Sequence, residues 1–383
     1  MWPKDDMLDG RCSPPFSLAE MPFVAGLAVA MQIVLVVYVL WLLTRIANSV
    51  ERTEGRLAYF IERTVRREGR HGEYRTRTSL GRVSIEDPHW PRASAWLARG
   101  DDDPALVVVG VPSSAASISP SEAWRAPAAL REVLGRFSTF HGEEGLDLSD
   151  LTVADLGDWD VVDLDPVAMI EEVDRLTRAL PAGSVRVFLG GDNAITRPVA
   201  RAGGPLDQLG VLTFDAHHDV RVTEPVPSNG SPIRGLVEDG LPDDRVIQIG
   251  IHSFANSRAY REWCDDHLIH PVTMRDVDGQ GVDATVSSAL NHLAARAGRI
   301  HVDFDIDVLD RAFAPGCPGA RPGGMTPRQL ARAAYLCGLH RRVASADIVE
   351  VDPSRDRDDL TIMNAATVFL SFAAGVARRG TPT

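Results

Sequence analysis

Four short stretches concentrate acids, imidazoles and amides. They are GGDN (Gly190–Asn193), DAHHD (Asp215–Asp219), DFDID (Asp303–Asp307) and VEVDP (Val349–Pro353). Alternation along an extended segment puts Asp215, His217 and Asp219 on one side, and it does the same for Asp303, Asp305 and Asp307. Four or more carboxylates converging on one crevice repel strongly unless cations sit among them. A carboxylate-rich set with one or two imidazoles suits Mn2+ or a similar divalent ion better than a structural zinc. Two such ions sharing bridging carboxylates can hold a hydroxide at neutral pH, which is the equipment for metal-assisted hydrolysis. No Lys follows Gly190-Gly191, and the spacing matches neither nucleotide-binding fingerprint. Asn193 is open to three readings here: a turn residue, part of a phosphate loop, or a ligand position.

Each stretch sits at the end of a short apolar run, and such runs recur along the chain. They cover Ala105–Gly110, Leu151–Leu156, Val185–Gly190, Leu209–Asp215, Arg245–Ile251, Ile269–Met274, Arg299–Asp305 and Ala344–Val351. Between most of them lie helical patterns such as PAALREVLGRF, PVAMIEEVDRLTRAL and DATVSSALNHLAARAG. Strands that alternate with helices, several of them continuously apolar, predict a parallel sheet covered on both faces. Functional groups on such a sheet gather beyond the carboxyl ends of the strands, where the four stretches fall.

The 383 residues carry a formal net charge of −13, which argues against nucleic acid as a partner. Cys12, Cys264, Cys317 and Cys337 are scattered without a CxxC pair, which excludes a disulfide framework and a thiolate zinc site. Residues 1–21 form a short leading segment. Residues 22–44 contain the apolar run PFVAGLAVAMQIVLVVYVLWLL, whose only strongly polar member is Gln32. As a helix this run spans roughly 33 Å, enough to cross a bilayer. Tyr38 and Trp41 lie toward one end, Asp5, Asp6, Asp9 and Glu20 precede it, and Arg45, Arg52, Arg56 and Arg63 follow it. The positive-inside rule then places the C-terminal part in the cytoplasm, anchored to the inner face of the membrane. Residues 45–70 read as a charged helix, either a dimerising stalk with a weak heptad seam or a solvated helix at the membrane surface. Residues 71–103 read as a linker, and 104–383 as the catalytic domain.

GGDN, DAHHD, DFDIDVLDRAFAPGCPGARPGG and VEVDP, in this order, resemble the arginase/agmatinase (ureohydrolase) superfamily. The likeness runs from about Ala105 to Gly375. It implies a three-layer α/β/α fold with an eight-stranded, mainly parallel sheet, and two Mn2+ ions whose bridging hydroxide attacks a guanidinium or amidine carbon. Carried over by position, one ion is held by Asn193, Asp215, Asp219 and Asp305, and the other by Asp215, His217, Asp305 and Asp307. Asp219 also orients the hydroxide, and Glu350 pairs with the cationic head of the substrate. Asp303 falls outside this set, either as a structural residue or as one that supports the ligands from behind. Asn193 stands where most relatives have His; an amide oxygen is the weaker donor, so the first ion is expected to bind less tightly. Relatives usually assemble as trimers or hexamers, which makes a homo-oligomer the expectation.

The loop after DAHHD bears on the substrate. Arg221 stands where arginases contact the α-carboxylate of their substrate, and Arg is a natural bidentate partner for that group. An agmatinase substrate has no carboxylate to bind. DAHHDVR, SNGSPIR and SISPSEAWRAPAALR are similar to formimidoylglutamases, whose substrate carries two carboxylates and one amidinium. On that resemblance Arg221, with Arg234, answers the carboxylates, Asn229 and Ser231 line the substrate loop, and Glu350 answers the amidinium. Two other readings remain: a hydrolase of another guanidino acid that releases urea, and a membrane-anchored binding protein with a degenerate metal site.

Overall fold

The computed structural model describes residues 87–379. The expectations for residues 1–21, 22–44 and 45–70, and for the 71–86 part of the 71–103 linker, therefore lie outside the described residues. Eight strands form one sheet: β1 (Leu106–Val111), β2 (Val153–Asp158), β3 (Val185–Gly190), β4 (Leu209–Phe214), β5 (Val246–Ile251), β6 (His270–Thr273), β7 (Arg299–Asp305) and β8 (Val343–Val349). Their order across the sheet is β2-β1-β3-β8-β7-β4-β5-β6, and every pairing is parallel. The runs marked in the sequence coincide with these strands to within one or two residues at either end.

Helices cover both faces. On one side lie α1 (Ala126–Val133), α2 (Val282–Ala294), α3 (Pro327–Leu339) and α4 (Leu360–Arg378), packed on Leu212, Phe214, Val302 and Phe304. On the other lie α5 (Pro166–Arg178) and α6 (Thr196–Ala202), with Met169, Val173 and Val199 against Val107, Val109 and Phe188. The same side carries α7 (Pro232–Glu238) and α8 (Arg258–Asp266), with Leu236 and Cys264 against Val211. Local chemistry sets several helix starts. Asp165 accepts from the backbone N–H groups of Val167 and Ala168 ahead of Pro166, while Thr326 and Gln329 close a capping box on α3.

Two features depart from the sequence reading. The last part of the expected linker holds a short helix, Ala93–Leu97, whose Ala93, Trp96 and Leu97 are buried in the main core. Its Arg, Pro and Asp content masked one turn of apolar residues that need the core to be stable. Among the described residues, α4 is long and apolar enough to cross a membrane, yet 67% of its apolar window is buried; it is the central core helix of its face.

Candidate functional site

The carboxyl ends of β1, β3 and β8 are sewn together by their backbones. Gly191 N–H donates to Val111 O (3.0 Å), Asp192 N–H to Ser113 O (2.9 Å) and Glu350 N–H to Gly191 O (2.9 Å). A Cβ on Gly191 would sit 1.8 Å from Ser113 O, so only glycine permits this approach. Asp192 is fully buried and accepts from the backbone of Ala116 (3.0 Å) and Ala194 (3.1 Å), tying the 113–118 loop to the end of β3. This framework holds Asn193 and Glu350 at the lip of the sheet.

The acids gather as the sequence suggests, but through bends and not through strand alternation. β4 stops at Phe214, and Asp219 adopts a left-handed backbone (φ 53°). β7 stops at Asp305, after which Ile306–Val308 form a 3-10 turn. These bends bring ligand atoms of Asp215, His217 and Asp307 within 4.8 Å of one another, and likewise those of Asp215, Asp219 and Asp305. Asp303 stays inside the strand, buried, with both carboxyl oxygens unbonded, and burial pushes its pKa well up. The two histidines of DAHHD part company. His217 Nδ1 faces Asp307 Oδ2 at 2.7 Å, whereas His218 turns inward to Gln248 (2.7 Å).

Electrostatics marks the cluster as short of positive charge. Burial, aided by the charge of Asp307, pushes Asp215 up to about 6. Burial and neighbouring acids raise Asp219 and Asp305 as well. The charge of Asp307 raises the pKa of His217, and the imidazolium in turn holds Asp307 down against its burial. One imidazolium among four buried aspartates does part of what cations would do, and the donor set fits a pair of divalent ions.

Asn193 is 1% exposed and fully engaged. Its amide nitrogen donates to Asp219 Oδ2 (2.6 Å), and its oxygen lies 2.6 Å from Thr196 Oγ1, whose single hydroxyl hydrogen is shared between that oxygen and Asp347 Oδ2 (2.8 Å). The amide oxygen thus points away from Asp219, opposite to what a ligand position requires. Glu350, also left-handed (φ 64°), accepts on Oε1 from Asn193 N–H (2.8 Å) and Asn229 Nδ2 (2.9 Å). Both of these bonds fall on Oε1, and Glu350 lines the cavity above the acids. Burial, then the charge of Asp192, pushes Glu350 up to about 8.

Above the acids lies a cavity of about 150 Å3, lined by His217, Asp219, Arg221, Asn229, Asp305, Asp307 and Glu350. Two of the expected substrate residues are elsewhere. Ser231 is buried, its hydroxyl bonded to Ser228 O (2.8 Å) and Ser228 N (2.9 Å), so it shapes the 228–231 turn and does not line the cavity. Arg234 pairs with Glu238 (2.8 Å) and lies over the Trp263 ring. Ser231 stands at the N-cap of α7 and Arg234 within its first turn, where these contacts hold both side chains. Residues that the sequence reading did not single out also line it, among them Ser117, Ser121, Asn256, Tyr260 and Arg321. Arg321 lies inside the long DFDID motif, and its cationic side chain within a Gly-rich loop was the available signal.

A model described as the arginase family matches residues 104–375. The chain belongs to the arginase family. A formimidoylglutamase of Halalkalibacterium halodurans is 39% identical over 274 residues, covering 70% of this chain and 86% of that protein. A guanidinopropionase of Pseudomonas aeruginosa is 34% identical over 285 residues, covering 70% of this chain and 87% of its own. The crystal structure of formimidoylglutamase from Bacillus subtilis superposes with a TM-score of 0.73 at 33% identity, covering 80% of this chain and 98% of that one. The arginase-family fold and the resemblance read from the motifs agree.

Proposed function

We propose that this arginase-family chain hydrolyses N-formimidoyl-L-glutamate to L-glutamate and formamide with two Mn2+ ions. One observation carries the reading: a buried, cation-hungry acid cluster shares one cavity with two guanidinium side chains, Arg221 and Arg321. The acids fit a metal pair facing an amidine, and the two guanidiniums fit the two carboxylates of a glutamate skeleton. The similarity to the formimidoylglutamases of two bacteria supports it.

On this reading the first ion is held by Asn193, Asp215, Asp219 and Asp305, and the second by Asp215, His217, Asp305 and Asp307. When bound, the ions supply Lewis acidity and a water acidic enough to lose its proton near neutral pH. The chain itself does the rest. Arg221 and Arg321 hold the carboxylates at the cavity mouth. Glu350 Oε2 faces the amidinium, and a cation there draws the raised Glu350 pKa back down, so the carboxyl ionises as substrate binds. Asp219 takes the proton of the attacking water. That proton then goes to the leaving nitrogen as the C–N bond breaks, releasing the amine of glutamate and formamide. The buried floor keeps other water away from the reacting carbon.

Arg221 would equally serve another guanidino acid, and the similarity to a guanidinopropionase favours this as the second reading. The test is Mn2+-dependent formamide release from N-formimidoyl-L-glutamate set against urea release from guanidinopropionate, guanidinobutyrate and arginine. Formamide from the first substrate alone supports the proposal. Urea from the others alone replaces it, and tight binding without turnover of either class replaces it with a binding protein. The apolar run at 22–44 further suggests that the domain works at the cytoplasmic face of a membrane; this rests on the sequence.

A further inference from the structure

A second cluster of metal-ligating side chains lies at the opposite end of the sheet. Asp244 precedes β5, His270 opens the edge strand β6, and His292 sits in the last turn of α2. All three belong to the amino-terminal ends of strands or to the helix beside them, whereas the cavity lies beyond the carboxyl ends. Both imidazoles aim Nε2 at one oxygen: His270 Nε2 lies 2.5 Å and His292 Nε2 2.8 Å from Asp244 Oδ1. Three ligand atoms from three elements fall within 4.8 Å. Asp244 is held there in a left-handed backbone (φ 63°), and its other oxygen accepts from Arg296 Nε.

We propose that Asp244, His270 and His292 form an accessory site for Zn2+ or a similar imidazole-seeking ion, separate from the hydrolytic centre. Two imidazole nitrogens and one carboxylate oxygen are a common zinc donor set, with water as the fourth ligand. At Zn–N and Zn–O lengths near 2.0 Å, tetrahedral ligand atoms stand about 3.3 Å apart. The present spacings therefore need to open by roughly 0.5–0.8 Å, within reach of side-chain rotation at a surface where His270 is half exposed. The ion takes the place of the two N–H hydrogens now shared with Oδ1, and each ring then carries its hydrogen on Nδ1. Arg296 stays on the second oxygen, orients the carboxylate and keeps it monodentate. Its positive charge also limits affinity, so the site takes up zinc reversibly. The preference runs opposite to that of the acid-rich cavity: imidazoles select zinc, carboxylates manganese. An ion here would clip β6, whose outer edge is unpaired among the described residues, to α2 and to the turn before β5.

The test uses the full-length chain saturated with Mn2+, titrated with Zn2+ and, separately, with Co2+. The wild type should take up one more zinc equivalent than the His270→Gln/His292→Gln double variant, and should show a tetrahedral Co2+ spectrum that the variant lacks. Either single variant should weaken that equivalent by about tenfold or more. Zinc should raise the Tm of the wild type and not that of the double variant, while both share the same Tm and Mn2+-dependent turnover before zinc is added. Equal zinc stoichiometry and equal Co2+ spectra in wild type and double variant would overturn the proposal. So would a zinc-induced Tm rise that survives the double substitution.

Discussion

Asn193→His is the sharpest probe of the metal centre. In the wild type the amide nitrogen of Asn193 is bonded to Asp219 Oδ2, and the amide oxygen faces Thr196. To offer its oxygen to a cation the amide must turn over. Thr196 tolerates the turn, because its hydroxyl keeps donating to Asp347 while accepting from the inverted amide nitrogen. Asp219 does not, since it loses a buried bond to a charged acceptor, worth about 1.5–3 kcal/mol. The two Mn2+ ions should therefore bind in two steps separated by about 10- to 150-fold in Kd, the first-site ion being the weaker. Histidine at 193 offers an imidazole nitrogen with no amide to invert, so the steps should draw together while substrate preference is unchanged. Isothermal titration with Mn2+, paired with electron paramagnetic resonance to count spin-coupled ions, reads both steps. Two equally tight ions in the wild type, or an unchanged separation in Asn193→His, would refute the reasoning.

Three further outcomes are expected. Arg221→Met should raise KM for N-formimidoyl-L-glutamate by about tenfold with little change in kcat, the low end for a charge-assisted bond because Arg221 is exposed. Gly230→Ala should act in the same direction, since its Cβ would fall 2.7 Å from Arg221 Cδ and push that side chain aside; a kcat loss with unchanged KM in both would contradict the carboxylate role. The metal-free chain should lose stability as pH rises from about 4 to 8. Asp192 and Asp215 are raised to about 6 and Glu350 to about 8, so the folded state binds more protons than the unfolded state across that window. Of these groups Asp215 belongs to the proposed ligand set, and Mn2+ would take the place of its proton, so the Tm gain on adding the ion should widen with pH; calorimetry showing a metal-free Tm that rises over this range would count against the cluster being short of positive charge. Finally, the full chain should sediment with membranes and resist salt extraction, and recovery of the full chain in the soluble fraction would remove the anchor reading of residues 22–44.

Much of this site was legible before any coordinates. Runs of valine, leucine and isoleucine that each end in an acid announce buried parallel strands with polar lips, because a strand covered on both faces leaves its end as the only place for charge. Type and spacing mark Asp215, His217 and Asp219 and the trio Asp303, Asp305 and Asp307, and the family resemblance narrows these to Asp215, His217, Asp219, Asp305 and Asp307, whose side chains do come together. Alternation holds for Asp303 and Asp305, which share the strand β7, whereas a left-handed residue at Asp219 and a 3-10 turn after Asp305 aim the side chains of Asp219 and Asp307. Local bends of this kind depend on what packs against them and leave little trace in composition.

Sequence by itself determined which chemistry is available here: the donor types, their order along the chain, the strands that carry them and the membership in the arginase family. Tertiary structure alone decided which side chains share a space. It sent His217 to the acids and His218 to Gln248, withdrew Ser231 and Arg234 from the cavity and brought in Arg321. It also inverted the amide of Asn193 and gathered Asp244, His270 and His292 from three separate elements. The physical reason is range. Strand and helix patterns are written in neighbours a few residues apart, whereas the direction of a side chain at a strand end is set by partners tens to hundreds of residues away.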